Sequence, residues 1–421
     1  MSKKLSGNVL VIQEGAGTIT ANAALAGVIN ESLNHDCIKE IYASLNGFSG
    51  ILTEDLIDLA EESQQTIHKL RYTPGNALGV SLKTIQTSDF KRITEVIIAH
   101  NIRYCICICE YNAFKSLKII NEAFKVNRNK MQIIVIPQSF DNSTPVIDHS
   151  PGYGSTIKHL AMLIRNLEYN KKSNYAKNSI SIIEINNQKT GWIVAGSALA
   201  KRRNHPEDAP HILLLPEVPF VFEEFISNIQ EIFKRNRHCV IVASDKIVDK
   251  DNNLITNIIS QKISDIKGKT IFGGTLGEYL KIILEQSFDS RIEVIKPGSI
   301  LRSGSNILSN TDNYESFLVG KIAVKEITLG KTDQMIVLLR SEKEPYSCET
   351  SLIHLDKITE EVNKQFPKNW ISENNFGVTF QYNKYALPLI QGIPNNLDEN
   401  GFSKFAELKK HYIEKKLSTD I

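Results

Sequence analysis

Four short segments carry glycine next to polar residues, and a fifth is polar without glycine; all five lie close to apolar runs that are typical of buried strands. In chain order they are QEGAGT from residue 13, TPGNALG from 73, PQSFDNS from 137, HSPGYGS from 149 and FGGTLGEY from 272. Glycine lets backbone approach a phosphate closely, and such ligands bind at the carboxyl ends of parallel strands. One such turn is a weak signal because glycine also simply reverses a chain, but five together predict a phosphorylated ligand.

The carboxylate of Asp141 lies within one of these turns and follows the apolar run QIIVI. A carboxylate at the end of a buried strand can take a proton from a substrate hydroxyl. An aspartate that precedes Asn142 and Ser143 can equally cap its own turn by accepting backbone hydrogen bonds. From the residues alone, both interpretations stay open.

Three of the six cysteines, Cys105, Cys107 and Cys109, alternate along the run RYCICICEY. Alternate residues of a strand share one face and lie about 7 Å apart along a line. A metal ion needs ligands that converge around it. The alternation therefore favours a buried strand over a metal or redox site.

The balance of charges excludes some classes of partner. The chain has 421 residues, with 49 basic and 47 acidic side chains and a formal net charge of +2. This gives no general attraction to nucleic acid or to an anionic membrane. No apolar run approaches the roughly 20 residues that cross a bilayer, and the first residues lack the apolar stretch of a secretory signal. We expect a cytoplasmic protein without a nucleic-acid or membrane partner.

The elements that would position these residues alternate between short apolar runs and segments of helical periodicity. One series runs from NVLVI at residue 8 to QIIVI at residue 132, and a second ends at RIEVI at residue 291. Such alternation predicts parallel sheets joined by right-handed crossovers. The segments DLIDLAEESQQTIHKL from residue 55 and KKHYIEKKL from residue 409 are predicted to be helical. The predicted fold class is α/β, with two Rossmann-like parallel α/β domains.

Several blocks, in the same order, resemble the pyrophosphate-dependent 6-phosphofructokinase family in its long bacterial form. IPQSFDNSTPVIDHSPGYGS is the first of them, and other matching blocks are TPGNALG, KRITEVIIAHNIRY, GWIVAGSALA, DAPHILLLPEVPF and VIKPGSILRSGSNILSNTD. The resemblance implies the phosphofructokinase fold with a C-terminal extension, assembled at least as a dimer.

Three regions are predicted from the resemblance and from the restart of the pattern. Residues 1–155 form an N-terminal α/β domain on the phosphoryl-donor side, completed by about residues 304–360. Residues 156–303 form a second α/β domain on the sugar-phosphate side, and residues 361–421 form a C-terminal helical extension.

The family transfers a phosphoryl group from pyrophosphate to the 1-hydroxyl of fructose 6-phosphate. Such chemistry needs Mg²⁺ on the donor, donors or cations on the developing charge, and a carboxylate that takes the hydroxyl proton. The resemblance implies that Asp141 is the catalytic base. It also implies that Glu217 accepts a sugar hydroxyl and that Arg302 binds a phosphate.

The donor side departs from the family pattern. Where the family has two glycines followed by an aspartate, this chain has CEYNAF, with Glu110 as the candidate Mg²⁺ ligand and Asn112 nearby. A Cβ obstructs close approach of backbone to phosphate, and a side-chain amide binds Mg²⁺ less well than a carboxylate. In the first loop the double glycine is Gly15-Ala16, which is a milder change.

Other family residues that handle phosphate are also replaced. The arginine after TPGNALG is Leu82, with Lys83 as a displaced substitute. The remaining replacements are Gln138-Ser139 for Lys-Thr, Ser143 for the second aspartate, Asn186-Asn187-Gln188 for Met-Gly-Arg, and Leu301 for a glutamine.

Two functions from different classes follow. Loss of one preorganised donor costs about 10²–10³ in rate, so several losses predict a non-catalytic or regulatory paralogue that binds a sugar phosphate such as fructose 6-phosphate. It would assemble with itself or with an active paralogue. The alternative is a divergent enzyme that uses pyrophosphate or ATP, with Asp141 as base and Mg²⁺ held by Glu110, and makes fructose 1,6-bisphosphate.

Overall fold

The computed structural model of the chain divides into two compact units. The structure describes residues 5–81, 83–126, 131–173, 178–186, 189–257, 274–342, 344–358, 363–398 and 400–418. The first unit consists of Met1–Ser155, Arg302–Val362 and Gln391–Ile421, and the second of Thr156–Leu301 and Asn363–Ile390.

An eight-stranded sheet forms the centre of the first unit, in the order β11-β10-β5-β4-β1-β2-β3-β12. Its strands are β1 (Gly7–Glu14), β2 (Ile38–Ser44), β3 (Leu56–Asp58), β4 (Ile102–Cys109), β5 (Gln132–Pro137), β10 (Gln334–Arg340), β11 (Cys348–His354) and β12 (His411–Tyr412). The five strands from β10 to β2 pair in parallel, whereas β11, β3 and β12 pair antiparallel at the edges. A parallel centre with antiparallel edges is common in doubly wound folds.

Helices cover this sheet and complete its two cores. They are α1 (Ala21–Ser32), α2 (Phe48–Thr53), α3 (Gln64–Leu70), α4 (Phe90–Ala99), α5 (Phe114–Val126) and α10 (Asn310–Thr328). Strand β1 is buried on both faces, with Val9 and Val11 in one core and Leu10 and Ile12 in the other. Helices α1 and α10 pack so closely that a Cβ on Gly27 would lie 2.2 Å from the carbonyl oxygen of Phe317.

The alternating cysteines lie where the sequence predicts. Cys105, Cys107 and Cys109 are on β4, and each has an exposed fraction of 1% or less. All three face the same apolar core, which confirms the buried strand. Burial raises the pKa of the Cys105 and Cys107 thiols, so neither is a reactive thiolate.

The second unit contains a four-stranded parallel sheet in the order β7-β8-β6-β9. The strands are β6 (Ser179–Ile185), β7 (Ile212–Leu214), β8 (His238–Ser244) and β9 (Arg291–Ile295). The helices are α6 (Tyr153–Lys172), which starts at the unit boundary, α7 (Trp192–Gly196), α8 (Phe222–Phe233), α9 (Leu276–Ser287) and α11 (Phe380–Ala386). Two parallel α/β units confirm the predicted fold class. Phe272 and Gly273, the first two residues of the segment FGGTLGEY, lie outside the described residues.

Aromatic packing holds Asn363–Ile390 within the second unit. The Trp192 ring lies 5.1 Å from that of Phe366, 5.9 Å from Trp370 and 5.6 Å from Tyr385. The indole N–H of Trp192 donates to the carbonyl of Lys364 at 2.9 Å. Large aromatic contacts of this kind explain why a segment distant in sequence joins this unit.

Two local predictions are wrong. The segment from residue 55 begins with the short strand β3 and becomes helical only at α3, because Glu54 ends α2 with a left-handed conformation. The lysine-rich tail is extended rather than helical: its residues His411 and Tyr412 pair with Asp58 and Ile57 of β3. No helix among the described residues is long and apolar enough to cross a membrane.

Candidate functional site

The candidate site of the first unit lies at the carboxyl ends of β1 and β4, which are neighbours in the sheet. Glu14 at the end of β1 pairs with Cys109 at the end of β4. The chain leaves β1 toward β2 on one side and returns to β4 on the other, so this is a topological switch point. Ligands of open α/β sheets bind in the crevice at such points. Gly15 and Glu110 are the residues that follow the two strands.

The first glycine loop has the conformation that glycine permits. Gly15 has a φ of 101° and Gly17 a φ of 66°, both in the left-handed range. The TPGNALG turn lies against this loop: the Gly75 N–H donates to the Thr18 carbonyl at 3.0 Å, and the Asn76 side chain donates to the Gly15 carbonyl at 3.1 Å. Two of the predicted glycine turns therefore meet at the switch point.

A buried amide pair that has no distinguishing sequence pattern fixes the TPGNALG turn. Gln13 of β1 and Asn22 of α1 are both fully buried, and their side chains hydrogen-bond at 3.1 Å. Gln13 accepts the Leu78 N–H at 3.1 Å, and Asn22 accepts the Ala77 N–H at 2.9 Å. Since buried N–H groups need partners, these two amides hold the turn in place.

Glu110 lies directly over the first loop. A Cβ on Gly15 would come within 2.8 Å of Cγ of Glu110, so the two residues are in contact. Its neighbour Asn112 is within the short 3₁₀ turn Tyr111–Ala113, and the side chain of Asn112 lies outside what the structure describes. The side chain of Glu110 therefore occupies the crevice that a glycine in its place would leave open.

Among the described residues, Glu110 does not belong to a group of three side chains that could jointly hold a metal ion. In the described part of the chain, the groups of three side chains that could jointly hold an ion are His149 with Glu315 and Cys348, and His205 with Glu207 and Asp208. Mg²⁺ in kinases is typically held by one or two carboxylates together with substrate phosphates. Glu110 could therefore bind Mg²⁺ only as a single carboxylate ligand, with the substrate phosphates supplying the other ligands.

Asp141 has one oxygen fixed by its own turn. Its Oδ1 accepts the hydroxyl of Ser139, in a short hydrogen bond, and the N–H of Ser143 at 3.0 Å. Oδ2 accepts no hydrogen bond from the described residues, and the side chain is half-buried. Asp141 thus caps its turn, and the same geometry leaves the second oxygen for a substrate hydroxyl.

Gln138, at the position of the family lysine, points its carbonyl toward the first loop. The residue is 3% exposed, and its Oε1 accepts the Thr18 hydroxyl at 2.9 Å. Thr18 also contacts Gly152, where a Cβ would lie 2.7 Å from Cβ of Thr18. Buried Asp312 accepts the Gly152 N–H at 2.8 Å, which ties the HSPGYGS loop to α10. The first loop, the PQSFDNS turn and the HSPGYGS loop therefore meet around Thr18, and the side chain at position 138 is a neutral amide rather than a cation.

Arg302 joins this site from the start of the unit's second segment. Its guanidinium donates to the Gly17 carbonyl at 3.1 Å and lies 5.8 Å from the ring centroid of Phe140. Phe140 precedes Asp141, so the structure places Arg302 near both the first loop and the turn of the candidate base. Lys83, by contrast, is exposed and its ammonium lies 3.6 Å from the carboxylate of Asp89. Leu82, Asn187 and Gln188 lie outside the described residues.

Glu217 belongs to the second unit and follows β7. Its Oε1 accepts the Gly191 N–H at 2.7 Å, while its Oε2 is buried and has no hydrogen-bond partner among the described residues. Burial raises the pKa of Glu217 even though the Gly191 N–H favours its charged form. A buried acceptor without a donor is suited to accept a ligand hydroxyl.

Glu14 is a second acidic residue at the first loop, and it was not singled out from the sequence. One carboxylate oxygen accepts the Phe48 N–H at 3.0 Å and the Ser81 hydroxyl at 3.4 Å, and the other accepts the Gly15 N–H at 3.3 Å. Burial raises the pKa of Glu14 even though these donors favour its charged form. The only sequence signal is an acid immediately before the glycine loop in QEGAGT.

The two parallel α/β units have the architecture of the phosphofructokinase fold. Residues 8–327 match the family described as Phosphofructokinase. The chain is 32% identical to the pyrophosphate–fructose 6-phosphate 1-phosphotransferase of Halomonas elongata, over 97% of this chain and 98% of that protein. It also superposes on the crystal structure of the pyrophosphate-dependent phosphofructokinase from Marinobacter aquaeolei, with a TM-score of 0.88, 27% identity and 99% of both chains covered. The chain belongs to the phosphofructokinase family.

Proposed function

We propose that this chain binds a sugar phosphate, such as fructose 6-phosphate, and is a non-catalytic or regulatory member of its family. The observation that carries the proposal is the contact of Glu110 with Gly15 at the switch point. It puts an acidic side chain in the crevice where a phosphoryl donor would have to approach the first loop.

The sugar side supports ligand binding in two places. Glu217 keeps a buried oxygen without a donor in the second unit. Arg302 keeps its guanidinium at the first loop of the first unit, where planar N–H groups suit phosphate oxygens. The name of the relative from Halomonas elongata specifies fructose 6-phosphate as the substrate of that protein, which makes it the first ligand to test here.

The donor side supports loss of transfer. Pyrophosphate is highly charged and needs cations or N–H groups around its oxygens. Here Gln138 is a neutral, buried amide, and Lys83 pairs with Asp89. Two carboxylates, Glu14 and Glu110, lie at the first loop instead. These carboxylates have the same sign of charge as pyrophosphate and therefore disfavour its binding at the first loop.

A second function is favoured by the geometry of Asp141. Its fixed Oδ1 and open Oδ2 are what a general base requires, and Ser139 keeps a hydroxyl where the family has threonine. The chain would then be a divergent phosphofructokinase that uses pyrophosphate or ATP, with Glu110 as a ligand of the Mg²⁺ that the donor carries. Mg²⁺ would neutralise charge on the phosphates in that case.

Thermal unfolding with and without fructose 6-phosphate tests the binding. A ligand that binds only the folded protein at 100 times its Kd stabilises it by about 2.7 kcal/mol, so the melting temperature should rise. Glu217→Gln should reduce this rise, whereas the exposed control Glu223→Gln should leave it unchanged. A melting temperature that stays at the value of the unliganded protein with fructose 6-phosphate and with every other phosphosugar tested would reject sugar-phosphate binding.

Turnover separates the two functions. The protein is incubated at high concentration with Mg²⁺, fructose 6-phosphate and either pyrophosphate or ATP, and fructose 1,6-bisphosphate is measured. Binding without product supports the non-catalytic proposal. Product that disappears in Asp141→Asn supports the divergent enzyme and overturns the first proposal. Co-purification with an active paralogue, or self-assembly in solution, then addresses the regulatory role.

A further inference from the structure

The carboxylate of Glu14 occupies a recess built from three separate segments of the first unit. The donors are the N–H groups of Gly15 and Phe48 and the hydroxyl of Ser81. They come from the first loop, from the turn after β2 and from the segment after TPGNALG. Convergent N–H groups from several turns form the concave sites that proteins use for small anions.

The recess is shaped around its occupant. Gly47 has a φ of 62°, and a Cβ there would come within 2.0 Å of Oε2 of Glu14. No side chain could replace glycine at this place without displacing the carboxylate. The left-handed Gly47 and the hydrogen-bond donors therefore surround the same place, and the carboxylate of Glu14 already occupies it.

Within the described part of the chain, no cation pairs with the Glu14 carboxylate. Among the described residues, no lysine, arginine or histidine lies within ion-pair distance of Glu14, so its charge is held by neutral donors alone. Phosphate bound in backbone nests is held in the same way. The recess is also near solvent, since Ala16 and Val80 are exposed and Gly15 and Ser81 are half-buried.

We propose that Glu14 is an internal substitute for a phosphate group: its carboxylate fills an oxyanion recess formed by Gly15, Phe48 and Ser81 and so excludes inorganic phosphate from the first loop. Shortening this side chain would free the donors and create a phosphate site. This inference rests on the proposed function, because only that function assigns the first loop to the phosphoryl-donor side.

Orthophosphate binding to the full chain tests the recess. The unsubstituted protein is compared with Glu14→Ser, which empties the recess, and with the matched control Glu14→Gln, which fills it without a charge. Each is also prepared with Arg302→Gln, so that phosphate bound by Arg302 does not obscure the result. Binding is measured by calorimetry and by the rise in melting temperature, with chloride at equal ionic strength as the reference.

We expect Glu14→Ser to bind orthophosphate about tenfold or more tightly than the unsubstituted protein and Glu14→Gln. An equal affinity of all three folded proteins overturns the inference. If Glu14→Ser does not fold, hydrogen–deuterium exchange of the single variant Arg302→Gln decides. With Glu14 in place, phosphate should leave exchange at Gly15 and Phe48 unchanged, and protection of these amides would contradict the proposal.

Different measurements would contradict the inference about the recess and the proposed function. Fructose 6-phosphate binding by the unsubstituted protein tests the function and does not depend on position 14. Orthophosphate binding by the Glu14 variants tests the recess and does not require that any sugar phosphate binds.

Discussion

His149, in the HSPGYGS loop, is a buried ion-paired histidine in the first unit. Its Nδ1 lies 2.7 Å from Asp148, and its Nε2 lies 2.7 Å from Glu315. Burial by itself would lower the pKa of His149, but the two carboxylates outweigh it and raise the pKa to about 9. The guanidinium of Arg340 and the hydroxyl of Tyr346 complete the contacts of the two carboxylates. At neutral pH this histidine is a cation that holds a loop of the candidate site to α10.

The raised pKa of His149 predicts that stability falls as the medium becomes alkaline. The folded state binds this proton more tightly than the unfolded state, whose histidine has a pKa near 6.5. The contribution, roughly 3 kcal/mol, is therefore complete below pH 6.5 and is lost as the pH rises to about 9. His149→Gln should be less stable at pH 6.5 and should lack this part of the slope, which denaturant unfolding at several pH values measures.

A surface histidine provides the control. His205 also contacts a carboxylate, Glu207 at 2.8 Å, but both side chains are exposed, so His205→Gln should leave the slope as it is. Stability curves that run parallel for the unsubstituted protein and His149→Gln would contradict the prediction.

Single residues differ in how far the sequence reveals their roles. The alternation of Cys105, Cys107 and Cys109 predicted their burial, because the period of a strand is a local property. The capping of the Asp141 turn was foreseeable for the same reason. The surroundings of Glu14 were not, because its partners Phe48 and Ser81 are distant in sequence and reach it only through the sheet.

The C-terminal tail is the element whose structure differs most from its prediction. Two buried carboxylates accept hydrogen bonds from its backbone. Glu54 accepts the N–H groups of Lys416 at 2.6 Å and of Leu417 at 3.2 Å. Glu62 accepts the N–H group of Lys409 at 2.7 Å. A helix would use these N–H groups internally. The edge of β3 supplies the remaining partners, and a non-local pairing of this kind leaves no periodic signal in the sequence.

Glu54 should therefore be important for stability. It is fully buried and also lies 2.5 Å from Nε2 of His100. The hydrogen bonds from the tail and His100 outweigh its burial and lower its pKa. Glu54→Gln should reduce the free energy of unfolding by about 3 kcal/mol, because a buried network loses its charged acceptor. Chemical unfolding measures this, and limited proteolysis should release the tail.

The adjacent residue supplies a matched control. Asp55 binds the same tail through Lys415 at 2.6 Å, but both side chains are about two-fifths exposed. Exposed ion pairs contribute less than about 1 kcal/mol, so Asp55→Asn should have a small effect. A loss of stability in Asp55→Asn as large as in Glu54→Gln would show that burial of the acceptor is not what holds the tail.

At the scale of the whole molecule, the chain passes between its two units four times. The first unit consists of three segments and the second of two. If the second unit unfolds, residues 156–301 become a long flexible connection inside the first unit. Closing a loop of that length costs roughly 4 kcal/mol by chain entropy. The stability of the first unit is therefore expected to depend on that of the second.

Phe225→Ala tests this dependence. Phe225 is fully buried in the core of the second unit, and its truncation should cost about 3–5 kcal/mol. Both tryptophans, Trp192 and Trp370, belong to the second unit, whereas Cys105, Cys107 and Cys109 belong to the first. In denaturant, tryptophan emission should shift to lower concentrations, and so should thiol labelling of the peptide that carries Cys105, Cys107 and Cys109, which is mapped separately from Cys239 of the second unit. The exposed variant Glu231→Ala should shift neither, and a shift of tryptophan emission alone would mean that the units unfold independently.

The passage of the chain between units has a consequence for biosynthesis. The ribosome delivers the chain from its N-terminus, and domains that are continuous in sequence can fold as they emerge. Here the first unit needs Gln391–Ile421, including the edge strand β12, and the second needs Asn363–Ile390. Neither unit is complete until these late segments have been synthesised. The nascent chain must therefore keep β3 as an open sheet edge until His411 and Tyr412 have emerged, which makes it a candidate for chaperone binding until then.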